Sequence, residues 1–187
     1  MSENEKLHQF VLYVENQPGV LNRISSLFRR RAYNIESLAV GHTERPGISR
    51  MTIVAGITEG AAHRVEANLY KLVNVLSVED VTHVSTIARS LALIKVEATE
   101  ESRTRLMEIA RVFRARVVDL APNSLIIEIT GTEDKIRALE DVLRPFGILE
   151  MVRTGQVVMT RGVKRARARH GASPGADLGE SDVSHSV

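Results

Sequence analysis

HQFVLYVENQPGVLNRISSLF, His8–Phe28, changes its period in the middle. Over His8–Val14 the apolar residues alternate, with Phe10, Leu12 and Val14 on one face and Val11 and Tyr13 on the other, which is the two-residue repeat of a strand. From Val20 onward they fall at Val20, Ile24, Leu27 and Phe28, with Leu21 beside them, at the spacing of a buried helical stripe. The junction is Asn16-Gln17-Pro18-Gly19. Pro18 suits the first turn of a helix, where a missing N–H leaves nothing unsatisfied, and Arg29, Arg30 and Arg31 suit the negative end of its dipole.

The chain on either side of this junction falls into a repeated order. Ile35–His42 and Ile48–Ile57 read as two strands joined through ThrGluArgProGly, residues 43–47, whose Pro-Gly marks a turn. A second helix over Ala61–Leu72 carries Ala62, Val65, Leu69 and Leu72 on one face, and Val75–Thr82 returns as a strand. The order then recurs with different residues. Leu91–Ala98 is a strand, Leu106, Ile109, Ala110 and Phe113 mark a helix, and Val117–Leu120 and Leu125–Thr130 form a hairpin over residues 121–124. Thr132 is placed to cap a helix carrying Ile136, Leu139, Val142 and Leu143, which stops before Pro145. Ile148–Arg153 and Gln156–Thr160 finish the second sheet.

The expected fold class is therefore α+β, as two consecutive ferredoxin-like βαββαβ units, each an antiparallel sheet with two helices on one face. Residues 1–6 form an N-terminal extension, 7–84 the first domain, 85–90 a linker, 91–162 the second domain and 163–187 a disordered tail. Helices cover one face of each small sheet, so the other face or the strand edges need a partner, and sheets are expected to pair between or within chains.

Composition narrows what such units do. Hydrophobic residues make up 43% and charged residues 26% of 187, the balance of an ordinary globular protein. No apolar run is long enough to span a bilayer and the start MSENEKLHQF lacks a signal-peptide layout, so a cytoplasmic location is expected, with no membrane role. The absence of cysteine removes disulfides, thiolate catalysis and Cys-based metal sites. The net charge of +2 comes entirely from Arg161 onward, where Arg161, Lys164, Arg165, Arg167 and Arg169 outnumber Asp177, Glu180 and Asp182. Acids and bases balance in the rest of the chain.

That balance argues against an RNA-binding sheet, as does the aromatic-free strand SerArgMetThrIleVal where such sheets stack bases, and no nucleic-acid partner is expected. An enzyme is disfavoured too. The six histidines show no HExxH spacing, there is no GxSxG elbow, and the pairs Glu79–Asp80 and Glu133–Asp134 lack ligand spacing. No catalytic residue and no metal ligand is assigned.

What remains is the junction itself. A loop turning tightly from strand into helix leaves the first helical N–H groups without intrahelical partners, a natural seat for an anion. Gly19 lets a ligand approach the backbone closely, yet neither GxGxxG nor GxxxxGK is present, so nothing asks for a nucleotide. Val20 and Leu21 are apolar neighbours and Asn16 offers both donor and acceptor, a combination that suits a small amino acid. The same residues are also ordinary turn and helix-start formers, and spacing alone leaves both readings open. The equivalent junction of the second repeat, AlaThrGluGluSer at 98–102, carries two carboxylates that repel an anion, so only the first repeat qualifies.

NQPGVLNRISSLFRRRAYNIESLAVGHTERPGISRMTI, Asn16–Ile53, resembles the ACT domain of the small regulatory subunits of acetolactate synthase, also called acetohydroxyacid synthase. AsnxxGxLxRI, TyrAsnIleGluSerLeu at 33–38 and SerArgMetThrIle at 49–53 occur in order. The resemblance extends through KLVNVLSV (71–78), LALIKVEA, FRARVVDLAPNSLIIEITG and RTGQVVMTRG, covering about Leu7–Gly162. It implies an N-terminal ACT domain, a C-terminal ACT-like domain, and a subunit that is not an enzyme by itself. Such a subunit binds and activates the catalytic large subunit, and carries feedback inhibition by valine or a related branched-chain amino acid. Thiamine diphosphate, magnesium and FAD belong to that catalytic subunit, and no cofactor is expected on this chain. The resemblance further implies a homodimer in which Asn16, Gly19, Val20 and Leu21 of one copy meet the effector together with Asn34 and Ile35 of the other. Ala32 departs from the family, which usually has Gly there, and Ala is strained in a left-handed conformation. A free-standing amino-acid sensor with another partner is the alternative.

Overall fold

The computed structural model describes residues 5–162. The expected disordered tail, 163–187, and the first four residues of the N-terminal extension lie outside the described residues. The first unit runs β1 (Lys6–Glu15), α1 (Val20–Arg30), β2 (Ile35–His42), β3 (Ile48–Ile57), α2 (Glu59–Leu69) and β4 (Val75–Asp80). Its strands lie in the order β2-β3-β1-β4, all neighbours antiparallel. The second unit runs β5 (Thr86–Glu97), α3 (Glu100–Val112), β6 (Arg116–Leu120), β7 (Ser124–Gly131), α4 (Glu133–Leu143), a 3-10 turn at Arg144–Phe146, β8 (Ile148–Arg153) and β9 (Val157–Thr160). Its strand order, β6-β7-β5-β8, repeats that of the first unit. These are two ferredoxin-like units, as the duplicated pattern requires.

Each core follows from the two periodicities. Phe10, Leu12 and Val14 point from β1 onto Val20, Ile24, Leu27 and Phe28 of α1 and Val65 and Leu69 of α2, all buried. In the second unit Ile94, Val96, Leu125, Ile127 and Ile129 meet Leu106 and Ala110 of α3 and Ile136, Leu139 and Leu143 of α4. Burial of each such aliphatic side chain is worth roughly 1.5–3 kcal/mol. The second helix of unit one ends at Leu69 rather than Leu72, but Leu72 still packs partly buried against the core.

Both α1 and α3 end in a left-handed residue. Ala32 has φ +54° and Arg114 has φ +51°. Behind α1, the Ala32 N–H donates to Arg29 O and the Tyr33 N–H to Phe28 O, both at 3.1 Å, which is the Schellman pattern; Tyr33 packs on the same core as Phe28. Behind α3, the N–H groups of Arg114 and Ala115 reach Arg111 O and Ala110 O in the same way.

Two expectations need correction. Residues 85–90, read as a linker, are strand from Thr86 onward. β9 does not extend the second sheet's main path; it pairs antiparallel with the first four residues of β5, Thr86–Arg89. The resulting two-stranded ribbon has its own partner surface. It lies on the face of the first sheet that the helices leave bare, where Val158 (1% exposed) packs with Val11, Val81 and, less deeply buried, Tyr13, Val84 and Ala88. Polar contacts fix its position. The guanidinium of Arg50 sits 5.8 Å from the Tyr13 ring centroid and donates to Val158 O, Gln156 N donates to Ser37 Oγ at 2.7 Å, and Gln9 Nε2 donates to Gln156 Oε1 at 3.2 Å. Part of the partner demanded by the bare sheet face is thus supplied within the chain.

The turn between β8 and β9 presses closest. A Cβ added at Gly155 would stand 2.0 Å from Leu38 O, with backbone on the other side unable to yield as a side chain would. Gly155→Ala is expected to destabilise the protein by about 1–3 kcal/mol and to raise hydrogen exchange at Ser37–Ala39, as read by urea titration and amide exchange together.

Candidate functional site

Asn16-Gln17-Pro18-Gly19 leaves β1 by a tight turn. The Val20 N–H reaches back to Gln17 O at 3.4 Å, Pro18 takes the second position, and Gly19 has φ +84° and ψ −8°. These are the marks of a type II turn, whose third residue requires the positive φ that glycine adopts freely. Pro18 therefore stands in the turn before α1, not in the helix's first turn as its residue type suggested.

The helix that follows begins open. No side chain caps it and no acid occupies its first turn. Space in front of Gly19 is empty, with no atom within 4 Å of where a Cβ would stand. Asn16 and Gly19 are exposed, Leu21 is 43% exposed and Val20 is buried beneath them. Four of the six expected effector residues thus share one tip.

The loop under this tip is held by residues that the strand and helix patterns do not single out. Asn16 N donates to Gly47 O at 2.8 Å, tying the tip to the β2–β3 hairpin. Asn74, 8% exposed, accepts from Arg23 Nη1 at 2.7 Å and donates to Glu15 Oε2 at 2.7 Å and Gln17 Oε1 at 3.4 Å. Its own carbonyl accepts from Glu15 N. The only sign of Asn74 in the sequence is an Asn within the otherwise aliphatic LeuValAsnValLeu, residues 72–76.

Asn34 and Ile35 lie elsewhere. α1 has eleven residues, so its axis spans about 16 Å at 1.5 Å per residue, and Asn34 and Ile35 follow its far end. Asn34 is exposed, with Nδ2 donating to Glu36 Oε1 at 2.6 Å, and Ile35 packs half-buried on the core. One copy of the chain does not bring the two groups together.

The second unit reproduces the scaffold and closes the tip. Glu97 N donates to Gly147 O and Ala98 N to Asn123 O, matching the bonds of Glu15 and Asn16. The helix start is then sealed by a capping box, in which Ser102 N donates to Thr99 Oγ1 at 3.2 Å and Thr99 N to Ser102 Oγ at 2.9 Å. Glu100 and Glu101 add negative charge to its first turn.

At the far edge of the first unit, His8 is fully buried and its Nδ1 lies 2.9 Å from Asp80 Oδ2, while Glu59 and His83 stand nearby. Burial by itself would raise the Asp80 carboxyl, but the Thr82 hydroxyl and N–H and the His8 ring outweigh it and hold the carboxyl below its ordinary value. The stability this supplies is complete above the ordinary carboxylate range and is lost as pH falls through the lowered value. Among the described residues no group of three or more His, Asp or Glu side chains is arranged to hold a metal, and no helix is long and apolar enough to cross a membrane.

A βαββαβ unit with an open helix tip behind a Pro-Gly turn, followed by a second unit of the same order, defines a two-unit ACT-type protein. The family model of the AHAS small subunit-like ACT domain matches residues 10–77, and that of the small subunit of acetolactate synthase matches residues 89–162. The chain is 48% identical over 158 residues to a probable acetolactate synthase small subunit of Archaeoglobus fulgidus, covering 84% of this chain and 99% of that one. It is 44% identical over 162 residues to the acetolactate synthase small subunit of Mycolicibacterium smegmatis, covering 87% and 95%. The crystal structure of the acetolactate synthase small subunit from Thermotoga maritima superposes with a TM-score of 0.78 at 33% identity, over 85% of this chain and 99% of that one. The chain belongs to the acetolactate synthase small-subunit family.

Ala32 stands just before Tyr33 and Asn34 and holds a conformation costing an Ala about 1–2 kcal/mol, against a glycine entropy cost of roughly 0.5–1 kcal/mol. Ala32→Gly is expected to stabilise the protein by about 0.5–1 kcal/mol, measured as a rise in the urea midpoint at unchanged slope.

Proposed function

We propose that the chain is the regulatory subunit of acetolactate synthase, acting in the cytoplasm on a catalytic large subunit that carries thiamine diphosphate, magnesium and FAD. In this reading it raises the activity of that subunit and makes it sensitive to valine or a related branched-chain amino acid. One contrast supports the effector site most directly. The same scaffold is built twice, and the chain's own side chains seal the second helix start while the first is left open.

A small zwitterion suits the open tip. Its carboxylate takes the unpartnered N–H groups of the first helical turn, favoured by the positive end of the dipole. Its aliphatic side chain lies against Leu21, above the buried Val20, and Asn16 serves its ammonium group as acceptor. Asn34 and Ile35 of a second copy close the pocket, because α1 keeps those residues away from their own tip. A ligand shared by two copies acts by favouring one packing of the pair over another, which the catalytic subunit then reads.

Asn16→Ala is expected to weaken valine binding by about 1–3 kcal/mol through loss of a hydrogen bond to a charged group. Gly19→Asp is expected to abolish it, since a carboxylate then faces the ligand's own. Isothermal titration decides the matter: unchanged affinity in both variants removes the site.

A further inference from the structure

The helical face of the first unit carries a groove that the effector reading does not use. It runs between α1 and α2, has a volume of about 490 Å³, and is lined by Leu27, Arg30, Arg31, Asn68, Lys71 and Leu72. Its floor is apolar, with Leu27 buried and Leu72 partly buried against the core, and Val73 next in sequence is 79% exposed. Its walls are cationic. Arg30, Arg31 and Lys71 are exposed, and none of them pairs with an acid among the described residues.

Charge balance makes this local excess informative. Ahead of Arg161 the chain has equal numbers of acidic and basic residues, so an unpaired basic groove is a feature of this face and not of the protein's general charge. The C-terminal dipole of α1 accounts for basic residues in its last turn, but not for Lys71 facing them across an apolar floor. Three like charges around one groove repel each other, and an acidic occupant relieves that repulsion.

The groove is also joined to the tip. Arg23 precedes Leu27 by one turn of α1 and bonds Asn74, which follows Lys71 and Leu72 closely in the chain and holds Glu15 and Gln17. The tip and the two walls of the groove are therefore linked through one hydrogen-bonded network.

We propose that the α1–α2 groove is the docking surface for an acidic segment of the catalytic subunit, one that seats an aliphatic side chain on Leu27 and Leu72. Through it the partner senses the state of the effector tip. This rests on the regulatory-subunit reading, and the test separates the two. Association of the full-length chain with the purified catalytic subunit from the same source is measured by calorimetry at low and high salt, alongside valine binding and the thermal midpoint.

The triple variant R30E/R31E/K71E is expected to weaken association at least about tenfold and to flatten its salt dependence, with valine affinity unchanged. If charge reversal lowers the thermal midpoint, R30Q/R31Q/K71Q is read in its place, since it keeps most of each side-chain stem, and a several-fold loss is expected. If the unaltered chain fails to bind the catalytic subunit, the regulatory reading falls and the groove assignment with it. If the unaltered chain binds and both variants bind equally well, the groove assignment alone is overturned. It is overturned as well if deleting residues 163–187 uncovers the groove to exchange, or if the triple variant loses self-association and not partner binding, because the occupant is then this chain itself.

Discussion

A four-stranded sheet with helices on one side has a second side that must be covered, and this protein covers part of it with β5 and β9. The twelve residues of β5 serve two structures in succession. Thr86–Arg89 pair with β9 in the ribbon that covers Val11, and Ser90–Glu97 form the centre of the second sheet. Because one continuous strand does both, the second unit is held to the first by packing and not by the short turn at 81–85 alone. Its placement follows from the path of that strand and from the approach of Gly155 to β2.

The duplication is kept where it supports the backbone and abandoned where a ligand would sit. Both units end β1 or β5 with the same pair of backbone hydrogen bonds, and both close their first helix with a left-handed residue at the same place. They differ at the helix start. Glu100 and Glu101 continue α3 backward to a Thr99 cap, while Pro18 and Gly19 turn the chain away and leave α1 uncapped. A pair of residues thus separates a start that satisfies itself from one that does not.

Much of this was legible in the sequence because it rests on period. The strands Ile35–His42, Ile48–Ile57 and Ile148–Arg153 stand where alternation put them, and Phe10, Leu12, Val14, Val20, Ile24, Leu27 and Phe28 form one core. The strained conformation of Ala32 was legible through the resemblance, since the family usually has Gly there. What escaped reading depends on contacts between distant segments. SerThrIleAlaArgSer at 85–90 carries little apolar alternation, because its inward residues, Thr86, Ala88 and Ser90, are small or polar while Ile87 faces out, and so resembled a linker. β9 is four residues long and its partner is seventy residues earlier in the chain. Asn74 shows little local signal beyond a polar residue in an aliphatic run, since its work is to satisfy Glu15, Gln17 and Arg23 across the fold. Pro18 fits a helix start and a type II turn equally well by residue type, and the left-handed Gly19 decides for the turn.

The seat of Val158 on Val11 bears on how the polypeptide is made. Synthesis completes the strands and helices of the leading half long before the residues that shield its rear surface leave the ribosome, so a nascent intermediate carries bare aliphatic side chains throughout that interval. Partially made chains are then the species most exposed to aggregation and to chaperone capture, and truncation just ahead of Val157 leaves a product in that condition permanently.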